Sequence, residues 1–255
     1  MSVVKQVTVS YSLEMQSDFH VGSGMGIAGL VDRAVRCLAN GELVVPGSTM
    51  KGRVRHHCEQ LARAFKLTIC GGRAANAELC KPLNDREAQY QLCLICRLFG
   101  SEWWPATLRF SDARLSVQQR DLVRQQRSET SDPAFDYQVA NRTRTRMNRI
   151  LRRAEEGALF TFQEGMAGLV FEGHIRGTIL CLGAEAAGLP LEVLMLVAAL
   201  RLVESLGGKK TVGLGACRMV VKHVSVEREV VEGELEDVLR DALAEVEYYD
   251  LHRNS

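Results

Sequence analysis

The stretch VVPGSTMKGRVRHH, residues 44–57, holds the transition that decides the fold. A short apolar strand stops at Pro46-Gly47, since proline has no N–H to donate to a ladder. From Thr49 onward, Val54, Cys58, Leu61 and Phe65 recur at helical spacing, and Ser48 is the expected N-cap. Lys51, Arg53, Arg55, His56 and His57 crowd the first turns, with one acid, Glu59, after them. Cations there oppose the helix dipole. A bound phosphate would offset that cost and use the free amides; a solvated basic helix face is the alternative.

Outward from this point the pattern alternates between strands and helices. Val7, Val9, Tyr11, Leu13 and Met15 mark a period-two strand. A glycine-rich loop, His20 to Gly29, follows it, and Ala39-Asn40-Gly41 sits between two apolar runs as an expected hairpin turn. TLRFSDARL (107–115) predicts a strand running into a turn, and GLVFEGHIRGTILCLG (168–183) a strand with glycines. LEVLMLVAALRLVESLGG (191–208) predicts a buried helix ended by Gly207 or Gly208, and ACRMVVKHVSVEREV a last strand. The order is that of a split β-α-β arrangement in the α+β class.

The 255 residues are 46% hydrophobic and carry a net charge of only +1, so charge distribution says more than charge balance. Residues 117–153 hold nine arginines against four acids, and residues 224–250 ten acids against two arginines. The first is a candidate contact region, the second an acidic solvated element. The N-terminus alternates and lacks a signal-peptide apolar run. No stretch has the length of a membrane span, so no membrane partner and a cytoplasmic location are expected. Eight cysteines in such a chain call for a reading other than disulfides.

Cys70, Cys80, Cys93 and Cys96 form C-x9-C-x12-C-x2-C, a spacing suited to tetrahedral structural zinc, with His57 or Cys58 able to replace one ligand. Cys37, Cys181 and Cys217 sit in apolar strands as core residues. Gly24-Met25-Gly26-Ile27-Ala28-Gly29 matches G-x-G-x-x-G and permits a dinucleotide site with Glu42 as the ribose acid, although Asn40-Gly41 fits a hairpin better than a crossover helix. GGKKT (207–211) is no P-loop, because Leu202 stands where the upstream glycine belongs. Asp32 and His20 are ambiguous between structural groups and a metal ligand, base or RNA contact.

Together these segments resemble a RAMP-superfamily backbone subunit of a type III (Csm/Cmr-type) CRISPR effector complex. The motifs that carry the resemblance are HVGSG (20–24), GLVDRAV (29–35), VPGSTMKGRVR (45–55), CRLFGS (96–101), LRFSDA (108–113), EGALFTFQEGMAGLVFEGHI (156–175) and LGGKKTVGLGACR (206–218).

The resemblance implies one RAMP domain across 1–255. Its modified RRM-like (ferredoxin-like) palm would take in about 1–66 and 156–228. A zinc-stapled, cysteine-rich insertion would cover about 67–100, a thumb-like β-hairpin insertion about 115–153, and an acidic element 229–255. Subunits of this kind stack on a guide RNA (crRNA) with copies of themselves and other effector subunits. The thumb disrupts the guide–target duplex at intervals. In catalytic members an aspartate in the loop after the first strand cuts target RNA, and Asp32 matches it. Mg2+ or another divalent ion is implied, with the 2′-hydroxyl as nucleophile and a cyclic phosphate on the product. Arg33 departs from the small or polar residue common beside that aspartate. Guide-RNA contacts are implied for His20, Gly22, Ser23, Gly24, Gly47, Ser48, Lys51, Arg53, Arg55, Arg142, Arg144, Arg146, Gly208, Lys209 and Lys210. A non-catalytic subunit and a guide-processing RNase using His20 are the alternatives.

Overall fold

A computed structural model describes residues 3–27, 30–67, 69–70, 80, 92–129, 137–181, 185–186, 189–227 and 229–230. Most of the cysteine-rich segment and nearly all of the acidic C-terminal element lie outside these residues. β1 (Val3–Met15) is the spine. Its inward side chains, Val7, Val9, Tyr11, Leu13 and Met15, are at most 1% exposed, as its alternation requires.

The main sheet also takes in β2 (Val44–Val45), β3 (Leu108–Phe110), β4 (Ala113–Leu115), β7 (Val170–Cys181), β10 (Cys217–Val226) and β11 (Glu229–Val230). Its order is β11-β10-β1-β7-β4-β2, with β3 also on β7, and every pairing is antiparallel. Two crossovers generate this order. The segment between β1 and β2 carries the chain to the far edge of the sheet, α1 (Gly47–Ala64) returns it toward β3 and β4, and β7 fills the gap left beside β1. α4 (Leu191–Arg201) then carries it from β7 to β10 across β1. The helices α1, α4 and the short α2 (Leu94–Phe99) pack on one another and on this sheet. Their contact surface is the core, where Met50, Val54, Cys58, Leu98, Leu194 and Leu196 are fully buried.

Four boundaries depart from the sequence pattern. α1 begins at Gly47 with Pro46 as N-cap, and Ser48 lies exposed inside the first turn. The cap is supplied from outside: the Gly47 N–H donates to Asp112 Oδ1 (2.8 Å) on the β3–β4 turn. α4 ends at Arg201 rather than at the glycines, because the following residues pair sideways. Leu206 N–H donates to Gly215 O and Cys217 N–H to Glu204 O. The arginine-rich region opens with α3 (Val117–Glu129) before any hairpin. The hairpin itself, β5 (Val139–Asn148) with β6 (Arg153–Gly165), forms a sheet of its own and runs past residue 153. A minor pair, β8 (Glu185–Ala186) and β9 (Leu189–Pro190), precedes α4.

The dinucleotide alternative fails on this architecture. Residues after the glycine loop fold back as isolated bridges, Gly22 with Val35 and Ile27 with Val31, instead of a helix. Glu42 is buried in an ion pair with Arg114 (2.8 Å). The Asn40-Gly41 turn forms as expected, with Cys37 bridged to Leu43 and Gly41 at φ 78°.

Candidate functional site

β6 gathers the site. Phe160 and Phe162 lie two residues apart on one face of the strand, their rings stacked at 5.6 Å and 21°. His20 meets the Phe162 ring edge-on (6.1 Å), and its Nδ1 donates to Gln163 O (2.7 Å). That bond assigns the proton to Nδ1 and leaves Nε2 for other chemistry. The His20 carbonyl accepts from the Gly208 N–H (2.9 Å). A Cβ at Gly207 would lie 2.5 Å from that oxygen, so a glycine is required there for the close approach.

Asp32 is docked onto the same strand. Its backbone N–H donates to Thr161 O (2.8 Å), and its carboxylate Oδ2 accepts the Thr161 N–H (2.7 Å). Arg33 bridges Phe162 in parallel fashion. The exposed aspartate is therefore fixed by one oxygen, with the other left to face solvent or a ligand. Asp32 belongs to no group of three or more potential metal-binding side chains among the described residues.

Lys209 closes the site from the other side. It sits in a left-handed conformation (φ 58°), and its Nζ lies 3.1 Å from the Phe162 centroid and 5.2 Å from that of Phe160. Burial, Arg144 and Arg33 together lower its pKa. Arg144 packs over Phe162 (4.9 Å) and pairs with the buried Glu164 (2.6 Å). Arg142 reaches both Glu164 (3.7 Å) and Asp18 (3.6 Å). Arg146 stands farther out on the hairpin with Glu155 (3.3 Å).

The loop Gly207–Lys210 links this cluster to α1. Lys210, in a 3₁₀ turn (Lys210–Val212), is lowered in pKa by burial and by Arg53. Arg53 donates to Ser205 Oγ (3.0 Å). Lys51 is likewise lowered by burial and Arg55. Arg55 itself is engaged by Glu59 (3.0 Å) and by Gly100 O (3.1 Å). Gly22, Ser23 and Gly24 lie along the other edge of the glycine loop, where Ser23 N–H donates to Ala34 O. Between that loop and β5 runs an open groove of about 820 Å³, lined in part by Ser23, Arg36, Arg127, Asn141 and Gln163. Gly47 is buried, its helix end occupied by Asp112. Thus a single basic ribbon runs from Arg53 through Lys210 and Lys209 to Arg144 and Arg33.

With this geometry in view, comparison with known proteins is informative. The family model of the RAMP superfamily (RAMPs) matches residues 12–218. The chain belongs to the RAMP superfamily. No curated protein matches it in sequence. Two cryo-EM structures contain chains of similar fold. One is Type III-B Cmr-beta in the apo state, 13% identical with a TM-score of 0.52, over 84% of this chain and 96% of that chain. The other is Type III-B Cmr-beta bound to cognate target RNA, also 13% identical at 0.52, over 91% and 98%.

This RAMP chain also assembles its four spaced cysteines. The sulfurs of Cys70, Cys80, Cys93 and Cys96 all lie within 4.8 Å of one another, with Cys70 3.3 Å from Cys96 and 3.6 Å from Cys93. A tetrahedron of Zn–S bonds of about 2.3 Å sets its sulfurs roughly 3.8 Å apart, so the donor set fits such an ion. The Cys96 thiol pulls Cys93 down to about 4, while burial pushes Cys80 up to about 11. His57 and Cys58 take no part: Cys58 is buried and donates to Met195 O. Trp104 packs on the cluster, and its buried Nε1 has no hydrogen-bond partner.

Sequence reasoning passed over Phe160, Phe162, Thr161 and Glu164. An aromatic-x-aromatic pair in a strand reads as core, and only the antiparallel pairing of β5 with β6 turns it toward the loops.

Proposed function

We propose that this RAMP protein is a backbone subunit of a type III CRISPR ribonucleoprotein that grips guide RNA and cleaves complementary target RNA at regular intervals. The antiparallel sheet with α1 and α4 serves as a modified RRM-like palm, the cysteine cluster as a zinc staple, and the β5–β6 hairpin as a thumb. The observation that carries this reading is convergence. Four segments far apart in sequence, at 20–24, 32–33, 160–164 and 207–210, meet at one strand of a basic hairpin.

In this reading the ribbon of Arg53, Lys210, Lys209, Arg144 and Arg33 holds phosphates, and Phe160 offers an aromatic face to an unstacked base. At the hairpin tip Ile150 is 91% exposed among Arg149, Arg152 and Arg153, a wedge suited to parting a duplex. Cleavage is attack of a 2′-hydroxyl on the adjacent phosphorus as it loses its proton, breaking the bond to the 5′-oxygen; that oxygen takes a proton from water, leaving a cyclic phosphate and a 5′-hydroxyl. The Asp32 oxygen not held by Thr161 orients the nucleophile or takes its proton. A divalent ion bound at that oxygen would neutralise phosphate charge. Cys70, Cys80, Cys93 and Cys96 would hold zinc with no open position, a folding role.

A non-catalytic backbone subunit is the second reading, favoured by the use of Asp32 as a strut to Thr161. Purification of the assembled complex tests both. RNA of uniform length should copurify, and complementary RNA should be cut at constant spacing when Mg2+ is present. Absence of bound RNA overturns the first proposal. Bound guide without cutting leaves the structural role. Cutting of guide precursor by the isolated chain would point to processing at His20.

A further inference from the structure

Arg53, His57 and Gln60 fall on one face of α1 at i, i+4 and i+7. His57 is only 9% exposed, and its Nδ1 lies 3.1 Å from Gln60 Oε1. Its Nε2 is fully buried and has no partner, as is Arg53 Nε, although Arg53 Nη2 reaches Ser205. A buried polar atom left unpaired costs about 1–3 kcal/mol, so two neighbouring ones call for a ligand. Among the described residues, the charged groups that act on His57 are all basic: Arg53 and His56 on α1, and Lys210 on the 3₁₀ turn. Lys210 in turn faces Arg53 and Cys217. Among the described residues, no carboxylate contributes to the shift of either His57 or Lys210. Burial first, and then Arg53, lower the His57 pKa, so the free protein holds a neutral imidazole at pH 7.

We propose that Arg53, His57 and Lys210 form a phosphodiester subsite for RNA, in which His57 is a proton-linked ligand. The subsite rests on the RNA-binding reading above and moves the phosphate from the helix end, where Asp112 sits, to the helix flank. With Nδ1–H directed to Gln60 Oε1, Nε2 takes a proton from solvent and donates it in a hydrogen bond to a phosphate oxygen beside Arg53 and Lys210. Apart from that protonation, no covalent bond forms or breaks. Entry requires a shift of the exposed Lys210–Val212 turn, which is bounded by left-handed Lys209 and Gly213. The anion reverses the local field and raises the bound-state pKa of His57 above its free-state value. The affinity gained is fully present below the free-state value and is lost as pH rises through the bound-state value.

The test uses the full-length protein and a fluorescent single-stranded RNA, with dissociation constants taken from pH 6 to 8. Wild type should lose affinity as pH rises, by at most about tenfold per pH unit for one proton. His57→Gln should bind RNA with a flatter pH profile than wild type, since its amide carries no titrating proton. In wild type, the imidazole resonances of His57 should titrate at higher pH with RNA bound than without. Identical pH profiles in both proteins, or an unmoved His57 titration in a protein that binds RNA, overturn the subsite. A wild type that binds no RNA overturns the RNA-binding reading instead. Inorganic phosphate then decides the subsite: it either shifts the His57 resonances, which supports a phosphate site, or leaves them unchanged, which rejects it. Should His57→Gln fail to fold, the wild-type titration alone decides between these outcomes.

Discussion

The proposed function gives Asp32 two jobs that one pair of substitutions separates. Its Oδ2 accepts the Thr161 N–H at 2.7 Å, and its charge faces the place proposed for the reacting phosphate. Asp32→Ala removes both. Asp32→Asn keeps an acceptor for Thr161 and removes only the charge. A hydrogen bond to a charged acceptor is worth about 1.5–3 kcal/mol when buried, and this exposed one about 1 kcal/mol. Loss of that amount lowers the docked-to-undocked ratio of the loop roughly fivefold. Loss of a positioned acid–base group costs about 10² to 10⁴ in rate. In single-turnover cleavage by the assembled complex, Asp32→Asn should therefore keep target affinity within about twofold and lose at least about a hundredfold in rate. Asp32→Ala should lose the same rate and up to about fivefold in affinity besides. Wild-type cleavage by Asp32→Asn would refute the reasoning and leave the carboxylate a strut.

Three further outcomes follow from packing and charge. Gly47→Ala should destabilise the fold by about 1–3 kcal/mol or more in urea unfolding, since its Cβ would lie 2.1 Å from Phe110 O; an unchanged midpoint would reject the close approach. Arg97 pairs with Glu192 at 2.8 Å with both side chains nearly buried, so Arg97→Met should destabilise by about 3–5 kcal/mol. The double change with Glu192→Leu should recover most of that loss in the same unfolding assay. Elemental analysis should find about one zinc per chain. Cys80 and Cys96 are raised in pKa, so metal must displace their protons and zinc should dissociate as pH falls. Chelated, reduced protein with an unchanged thermal transition would dismiss the staple.

Legibility in the sequence followed burial. β1 was readable because one face is wholly buried and the other is not, and period two follows from that. β7 repeats the rule with Phe171, Ile175 and Ile179 inward and Glu172, His174 and Arg176 outward. β5 was not readable, because VANRTRTRMN has no fully buried residue and hence no apolar face to mark a strand. The α4 pattern misplaced the helix end for the opposite reason. Val203 and Leu206 are buried like the helix residues before them, so apolar spacing continues after the helix has stopped. Glu192 is an acid inside an apolar run, yet it is buried, because Arg97 arrives from a helix distant in sequence. At the site, the resemblance supplied Asp32 and the GGKK loop, while the aromatic pair depended on a pairing register that no local pattern encodes.

On the RNA-binding reading proposed above, Glu164 would give the free subunit a degree of discretion toward cellular RNA. Its buried carboxylate already occupies Arg144 and approaches Arg142, so those guanidiniums meet an incoming strand already engaged and not as bare charge. A stray transcript that touches only the hairpin must displace this internal decoy and gains little from doing so. A strand that also runs along Lys210 and Arg53 makes contacts that outweigh the displacement. On that reading, selection against promiscuous RNA would reside in one acid beneath the arginines, and its removal would make the protein stickier before it made it better.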